Sequence, residues 1–218
     1  MTITRRDFHR FLLAALGSAT LPALAGGLQQ GRDYAPIEPP QPGDSPGKVE
    51  VLEFFSYGCP HCMEFHPLLM AWAAKLPAEV AFVRVPVSFG RAAWSHLARL
   101  YYALEITADL ARLDEAVFRA IHRENISLFT GEAIREWALK QGVDEKRFTD
   151  AYDSFGLDAR LKRNDQLVQR YKVRSVPLLT VAGRYAVTGE GATRHEDLLA
   201  IADGLILMAR SASEGSKS

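Results

Sequence analysis

The chain has 218 residues, 26 Lys+Arg balanced by 26 Asp+Glu, and 48% hydrophobic residues. That is enough for one good core, with room for an inserted subdomain. The formal net charge is zero and no basic block lies beyond the first residues, which argues against nucleic acid as a partner.

Residues 1–25 have the form of an export signal. "MTITRRDFHR" is short and basic, and "FLLAALGSATLPALA" is apolar and ends in Ala23-Leu24-Ala25, an A-x-A pattern. The apolar run is shorter than the about 20 residues of a permanent span. Arg5 and Arg6 followed by Phe8 look like a twin-arginine signal; the alternative is an ordinary signal with two adjacent arginines. Either reading expects cleavage near Ala25 and a mature chain outside the cytoplasm. Residues 26–47, "GGLQQGRDYAPIEPPQPGDSPG", are rich in Gly and Pro without a periodic apolar face, and predict an extended, partly mobile linker.

"KVEVLEFFSY" reads as a buried strand over 49–55. "CPHCMEFHPLLMAWAAKL" then repeats Phe65, Leu68, Leu69, Trp72 and Leu76 at helical spacing, with Pro60 in a tolerated first-turn position and Pro67 expected to kink the helix. "VAFVRVPVSF" is a second strand at 80–85, so the unit is βαβ and the pairing parallel. About five helices follow between 91 and 171, punctuated by Gly131, Gly142 and Gly156, with Thr130 and Asp144 as caps. "VPLLTVAG" and "RYAVTGE" form a hairpin about Gly183-Arg184, and a final amphipathic helix starts near Thr193. The segments 48–90 and 172–211 thus form one α/β domain, interrupted by a helical domain at 91–171 and followed by a tail at 212–218.

The two cysteines, Cys59 and Cys62, decide the chemistry. An exported protein ordinarily uses cysteines to close long loops. A bond between these two closes a very small one, and such a staple gains little on the chain-entropy model. A CxxC at the start of a helix after a strand has a different logic. The unpaired N–H groups and the dipole of the helix N-terminus favour a thiolate at Cys59. His61 adds a stabilising N–H or charge, while Cys62 sits one turn deeper. Cys59 is then the attacking and leaving sulfur, and Cys62 resolves the mixed disulfide. A stabilised thiolate favours the reduced form, so the pair donates its disulfide.

Two further positions belong to this reading. Pro177, in "RSVPLL", precedes a predicted strand; a cis Val176-Pro177 bond would present the Val176 backbone to an extended peptide, whereas a trans proline at a strand start is the commoner case. Glu53 interrupts the apolar strand, where burial would raise its pKa and let it shuttle a proton from Cys62. The alternative is a solvent-facing glutamate. Arg84, in the next strand, is a candidate charge partner, with a surface arginine as the equal alternative.

"VLEFFSYGCPHC", the downstream "SVP" and the helical insertion between them resemble the DsbA family of bacterial thiol:disulfide oxidants, from about residue 48 to 211. The resemblance implies a thioredoxin fold with an inserted all-helical domain and a cis Pro177. It also implies roles: Cys59 nucleophilic and unusually acidic, Cys62 resolving, His61 tuning, Glu53 the buried acid; Pro60 and His61 between the cysteines are what argue for an oxidant. No external cofactor is implied beyond the Cys59–Cys62 disulfide. The implied partners are reduced exported proteins and a DsbB-like, quinone-linked membrane oxidase, and the implied location is the periplasm. The chain departs at His66, where enteric members carry an acid, and it lacks their second, structural disulfide.

Rival readings use the same residues. Cys59, His61, Cys62 and His66 are all possible zinc ligands, yet no second CxxC or HxxxH accompanies them, and no metal is expected. His66 is read as a bystander, and His96, His122 and His195 as surface or capping residues. A reductase or isomerase could use the same core, although residues 26–47 are too short for a dimerisation domain and a monomer is expected. A peptide-binding module at Pro177 would survive Cys59→Ser.

Overall fold

The computed structural model describes residues 27–215, so the proposed signal and its cleavage point lie outside the described residues. Strand β2, Val49–Phe55, is the axis of the fold. It pairs in parallel with β3, Val80–Pro86, and antiparallel with β4, Leu178–Val181. With neighbours on both edges and packing on both faces it is almost wholly buried, which explains its near-continuous apolar run. A parallel pair needs a crossover, and α1, Pro60–Ala73, supplies it. This helix continues past Pro67 to Ala73.

Five helices fill the interval between β3 and β4: α2, Ala92–Thr107; α3, Leu110–His122; α4, Gly131–Lys140; α5, Glu145–Tyr152; and α6, Phe155–Arg170. Thr130 and Asp144 cap α4 and α5, accepting from Ala133 N at 3.3 Å and Arg147 N at 2.8 Å. Gly156, expected as a break, lies inside the first turn of α6, and Ser154 is the cap, accepting from Leu157 N. After β4 come β5, Tyr185–Val187, and α7, His195–Gly215. Asp197 accepts the backbone N–H groups of Thr193 and Arg194 at the start of α7.

The expectation for residues 26–47 needs correction. Tyr34–Pro36 forms strand β1, which pairs antiparallel with β5 and completes a sheet of order β1-β5-β4-β2-β3. Ile37 and Asp33 are buried, and Gln41 N donates to Gly183 O at 2.8 Å. A linker composition conceals this strand because it is three residues long, lies at a sheet edge where proline is tolerated, and takes its order from β5.

Three apolar clusters hold these layers together. One joins the sheet to α1 and α7 through Val51, Phe65, Leu69, Val181, Ala202 and Leu205. A second lies around Phe54, Val85 and Tyr171. The third contains most of the helical insertion's core, including Leu100, Leu104, Phe118 and Phe148, and it also contains Phe55, Tyr57, Cys59 and Cys62. The helical insertion therefore packs directly against the cysteine end of the sheet.

Candidate active site

Cys59 is the N-cap of α1, with extended backbone angles, and Pro60 is the first helical residue. Proline suits that position because its missing N–H would be unpaired there in any case. No acidic residue occupies the first turn, so the positive end of the helix is left for the sulfur. Both cysteines are in the thiol form and buried, Cys59 at 6% exposure and Cys62 at 0%.

The two sulfurs differ in kind. The Cys59 pKa is brought down to about 6. The largest cause is a hydrogen bond from the Cys62 thiol; burial opposes it, and the backbone N–H groups of Cys62 and His61, followed by the His61 ring, reinforce it. The Cys62 pKa moves far up, chiefly through burial, then through the hydrogen bond to Cys59, the Cys59 charge and the charge of Glu53. Negative charge therefore collects on the outer sulfur. His61 itself projects into solvent, 73% exposed, with Nδ1 3.4 Å from Glu64 Oε2.

The turn before β4 closes over the pair. The Val176-Pro177 bond is cis, and Cys59 Sγ lies 3.3 Å from the Val176 carbonyl oxygen. Beside this contact runs a shallow groove of about 770 Å³, lined by His61, Val176, Pro177, Thr188, Arg194 and His195 among others.

Behind Cys62 lies a buried cluster of charges. Glu53 and Arg84 are register partners on β2 and β3, and Arg84 Nε donates to Glu53 Oε2 at 2.6 Å. Glu53 is 0% exposed, which excludes the solvent-facing alternative. Its pKa is raised by burial, against the pull of Arg84. Burial opposes the Arg84 charge, but Glu53 and Asp114 more than offset it and the guanidinium stays cationic. That cation also sits 4.0 Å from the Phe55 ring centroid. Asp114, from α3, accepts from Arg84 Nη1 and from the Tyr57 hydroxyl, each at 2.5 Å.

His66 belongs to this cluster and is no bystander. It is 5% exposed, its Nε2 is 3.4 Å from Asp114 Oδ2, and its ring packs 5.0 Å from Phe118. Burial, foremost, holds its pKa down, so it is neutral at pH 7. A cleft of about 960 Å³, lined by residues of the sheet and of the helical insertion but not by Cys59, reaches His66, Arg84 and Asp114. His122 is also more than a surface residue: its Nε2 lies 2.7 Å from the Tyr57 carbonyl oxygen. Among the described residues, no group of three or more His, Cys, Asp or Glu side chains is placed to hold a metal ion.

Residues 50–201 match the DSBA-like thioredoxin domain. The chain belongs to that family. It is 39% identical to the thiol:disulfide interchange protein DsbA of Bordetella pertussis over 93% of this chain and 97% of that one. To DsbA of Pseudomonas aeruginosa it is 36% identical, again over 93% and 97%. The crystal structure of Pseudomonas aeruginosa DsbA superposes with a TM-score of 0.82, covering 86% of this chain and 97% of that one at 36% identity. NmDsbA1 of N. meningitidis superposes with a TM-score of 0.77 at 28% identity, over 87% and 97%. The protein is a disulfide-forming thiol:disulfide oxidoreductase of thioredoxin fold, and its redox group is its own cysteine pair.

The expected residues fall into two groups around the sulfurs. His61, Val176 and Pro177 line the groove, Cys59 meets the Val176 carbonyl, Pro60 follows Cys59 at the start of α1, and Glu53 and Arg84 lie behind Cys62. Tyr57 and Asp114 carry no signal in the sequence that marks them for this cluster. Tyr57 reads as one more aromatic in an apolar run. Asp114 stands beside Glu115 in a helix, and nothing in that pair tells which acid turns inward.

Proposed function

We propose that Cys59 exchanges disulfides with reduced exported proteins in the periplasm, and that residues 1–25 direct the chain there. In the donating step a substrate thiolate attacks Cys59 Sγ. The Cys59–Cys62 bond breaks, and Cys62 leaves with the electron pair and takes a proton. A second substrate thiolate then attacks the substrate sulfur of the mixed disulfide and expels Cys59 as a thiolate. The substrate loses two electrons and gains its disulfide, while the pair gains those two electrons. Glu53 supplies the proton to Cys62 and recovers it when a DsbB-like, quinone-linked oxidase restores the disulfide.

The observation that carries this reading is the asymmetry of the two sulfurs. Cys59 is favoured as a thiolate at about pKa 6, and so leaves well, while Cys62 is buried and held protonated. The Val176 carbonyl lies 3.3 Å from Cys59 Sγ, which supports the reading that an extended substrate chain pairs with it beside the reacting sulfur. His61 tunes Cys59 from the solvent side.

The reading is tested by equilibrating the protein with defined mixtures of reduced and oxidised glutathione and trapping adducts in Cys62→Ser. The expected result is an oxidising equilibrium for the parent pair and a stable mixed disulfide on Cys59 in the variant. A reducing, thioredoxin-like equilibrium for the parent, or no adduct on Cys59 in the variant, would count against it.

A further inference from the structure

The guanidinium of Arg84 serves two carboxylates, and only one of them comes from the sheet. Glu53 Oε2 accepts from Nε at 2.6 Å, and Asp114 Oδ2 accepts from Nη1 at 2.5 Å. Asp114 lies on α3 in the helical insertion and is 8% exposed. Its other oxygen, Oδ1, accepts from the Tyr57 hydroxyl at 2.5 Å. Tyr57 stands in the turn that leads into Cys59, and its carbonyl oxygen accepts from His122 Nε2 at 2.7 Å, at the last residue of the same helix. Helix α3 thus holds Tyr57 by both its hydroxyl and its carbonyl, and it also holds the cation behind Cys62.

We propose that Asp114 is a positioning residue for disulfide exchange: it takes a share of the Arg84 charge from Glu53 and so keeps the acid behind Cys62 able to hold and release a proton. One cation cannot fully neutralise two buried carboxylates, and a like charge disfavours the ionised form of its neighbour. In a private pair with Arg84, Glu53 would be a fixed anion with no proton to give a departing sulfur. Sharing the cation weakens that pairing, and burial acts in the same direction.

The groups facing the cluster come from every element packed on it. Cys62 and His66 approach from α1, Tyr57 from the turn, Tyr101 from α2, and Glu115 neighbours Asp114 on α3. The Tyr101 ring centroid is 5.5 Å from the Arg84 guanidinium carbon. His66 is neutral at pH 7, so it does not replace Arg84 as the counter-charge. This proposal rests on the reading of Glu53 as the proton partner of Cys62.

The test separates the two. Carbon-13 labelling of glutamate, with Glu53→Gln for assignment, gives the titration midpoint of the Glu53 carboxyl in the parent, Asp114→Asn and Tyr57→Phe. Asp114→Asn hands Arg84 wholly to Glu53 and is expected to lower the midpoint by about one pH unit or more. Tyr57→Phe deprives Asp114 of its phenol donor, so Asp114 draws harder on Arg84 and the Glu53 midpoint rises. The pH profile for attack of a small thiol on the oxidised protein should move with each midpoint. A midpoint unmoved in the variants, even with stability lost, makes Asp114 purely structural and overturns the proposal. If Asp114→Asn fails to fold, the sign of the Tyr57→Phe shift decides alone. A moving midpoint with an unmoved kinetic profile removes Glu53 as the proton partner and leaves the charge sharing standing.

Discussion

Arg84 is 8% exposed and is held by two carboxylates, one from its own sheet and one from a helix, with an aromatic face beneath it. Replacing it with methionine would keep the packing and leave Glu53 and Asp114 buried without a counter-ion. Removing one partner of a buried pair costs about 3–5 kcal/mol, so Arg84→Met should lose about that much at pH 7 by urea unfolding. The loss should shrink in acid, because Glu53, whose pKa burial raises, then becomes neutral; a loss equal at pH 4 and pH 7 would show that the charge is not what Arg84 contributes. Half of this cluster was legible in the sequence. A glutamate inside "VEVLEFF" and an arginine inside "VAFVRVP" are each out of place, and a βαβ unit puts those two strands side by side. The other half was hidden because Asp114 and Tyr57 meet only through the packing of α3, 57 residues along the chain from the turn. His66 is hidden for a related reason. Spacing put it one turn beyond Cys62, but did not disclose that an acid from another element would meet it there.

The strands and helices with a clear period were readable, and the one without was not. β2, β3 and the β4–β5 hairpin carry mainly apolar runs, and α2 to α6 carry helical spacing, with polar side-chain caps on α4, α5 and α6. β1 has three residues, no alternation and a proline, and it exists because β5 offers it an edge. The contact that seats it is tight. Gly183, in the hairpin turn, has φ +63°, and a Cβ there would lie 1.9 Å from the Gln41 carbonyl oxygen. Alanine at that position would be strained by its backbone and would push the leading segment away. Gly183→Ala should therefore lower stability by more than about 1 kcal/mol in urea titration, and it should speed proteolytic cleavage within residues 38–47. A variant as stable and as resistant as the parent would mean that this segment adds nothing to the sheet.

Across the molecule, the cysteine pair links redox state to stability. Cys59 has its folded pKa lowered to about 6, against about 8.5 for an ordinary cysteine. The stability it contributes is fully present above the unfolded value and is lost as pH falls through the folded one. Cys62 is shifted the other way, so the unfolded chain releases that proton first, and the reduced protein loses stability as pH rises beyond about 8.5. The oxidised protein has neither ionisation. Reduced protein should then be the more stable form at neutral pH, with its advantage greatest near pH 8.5 and declining on both sides. Urea midpoints of the two forms across pH 5 to 10 measure this directly, and a flat difference would contradict it. The sheet order has a consequence for how the chain reaches this state. Tyr34 pairs with Val187 and Val51 with Val181, whereas the five helices between β3 and β4 are built from near neighbours. Closing long loops is slow compared with winding local helices. The helical block can therefore order early, and the sheet must wait until both ends of the chain are present. Until then the Val176 carbonyl has not come to lie beside Cys59 Sγ, so the face on which the oxidant meets its substrate is completed as one of the last events of its own folding.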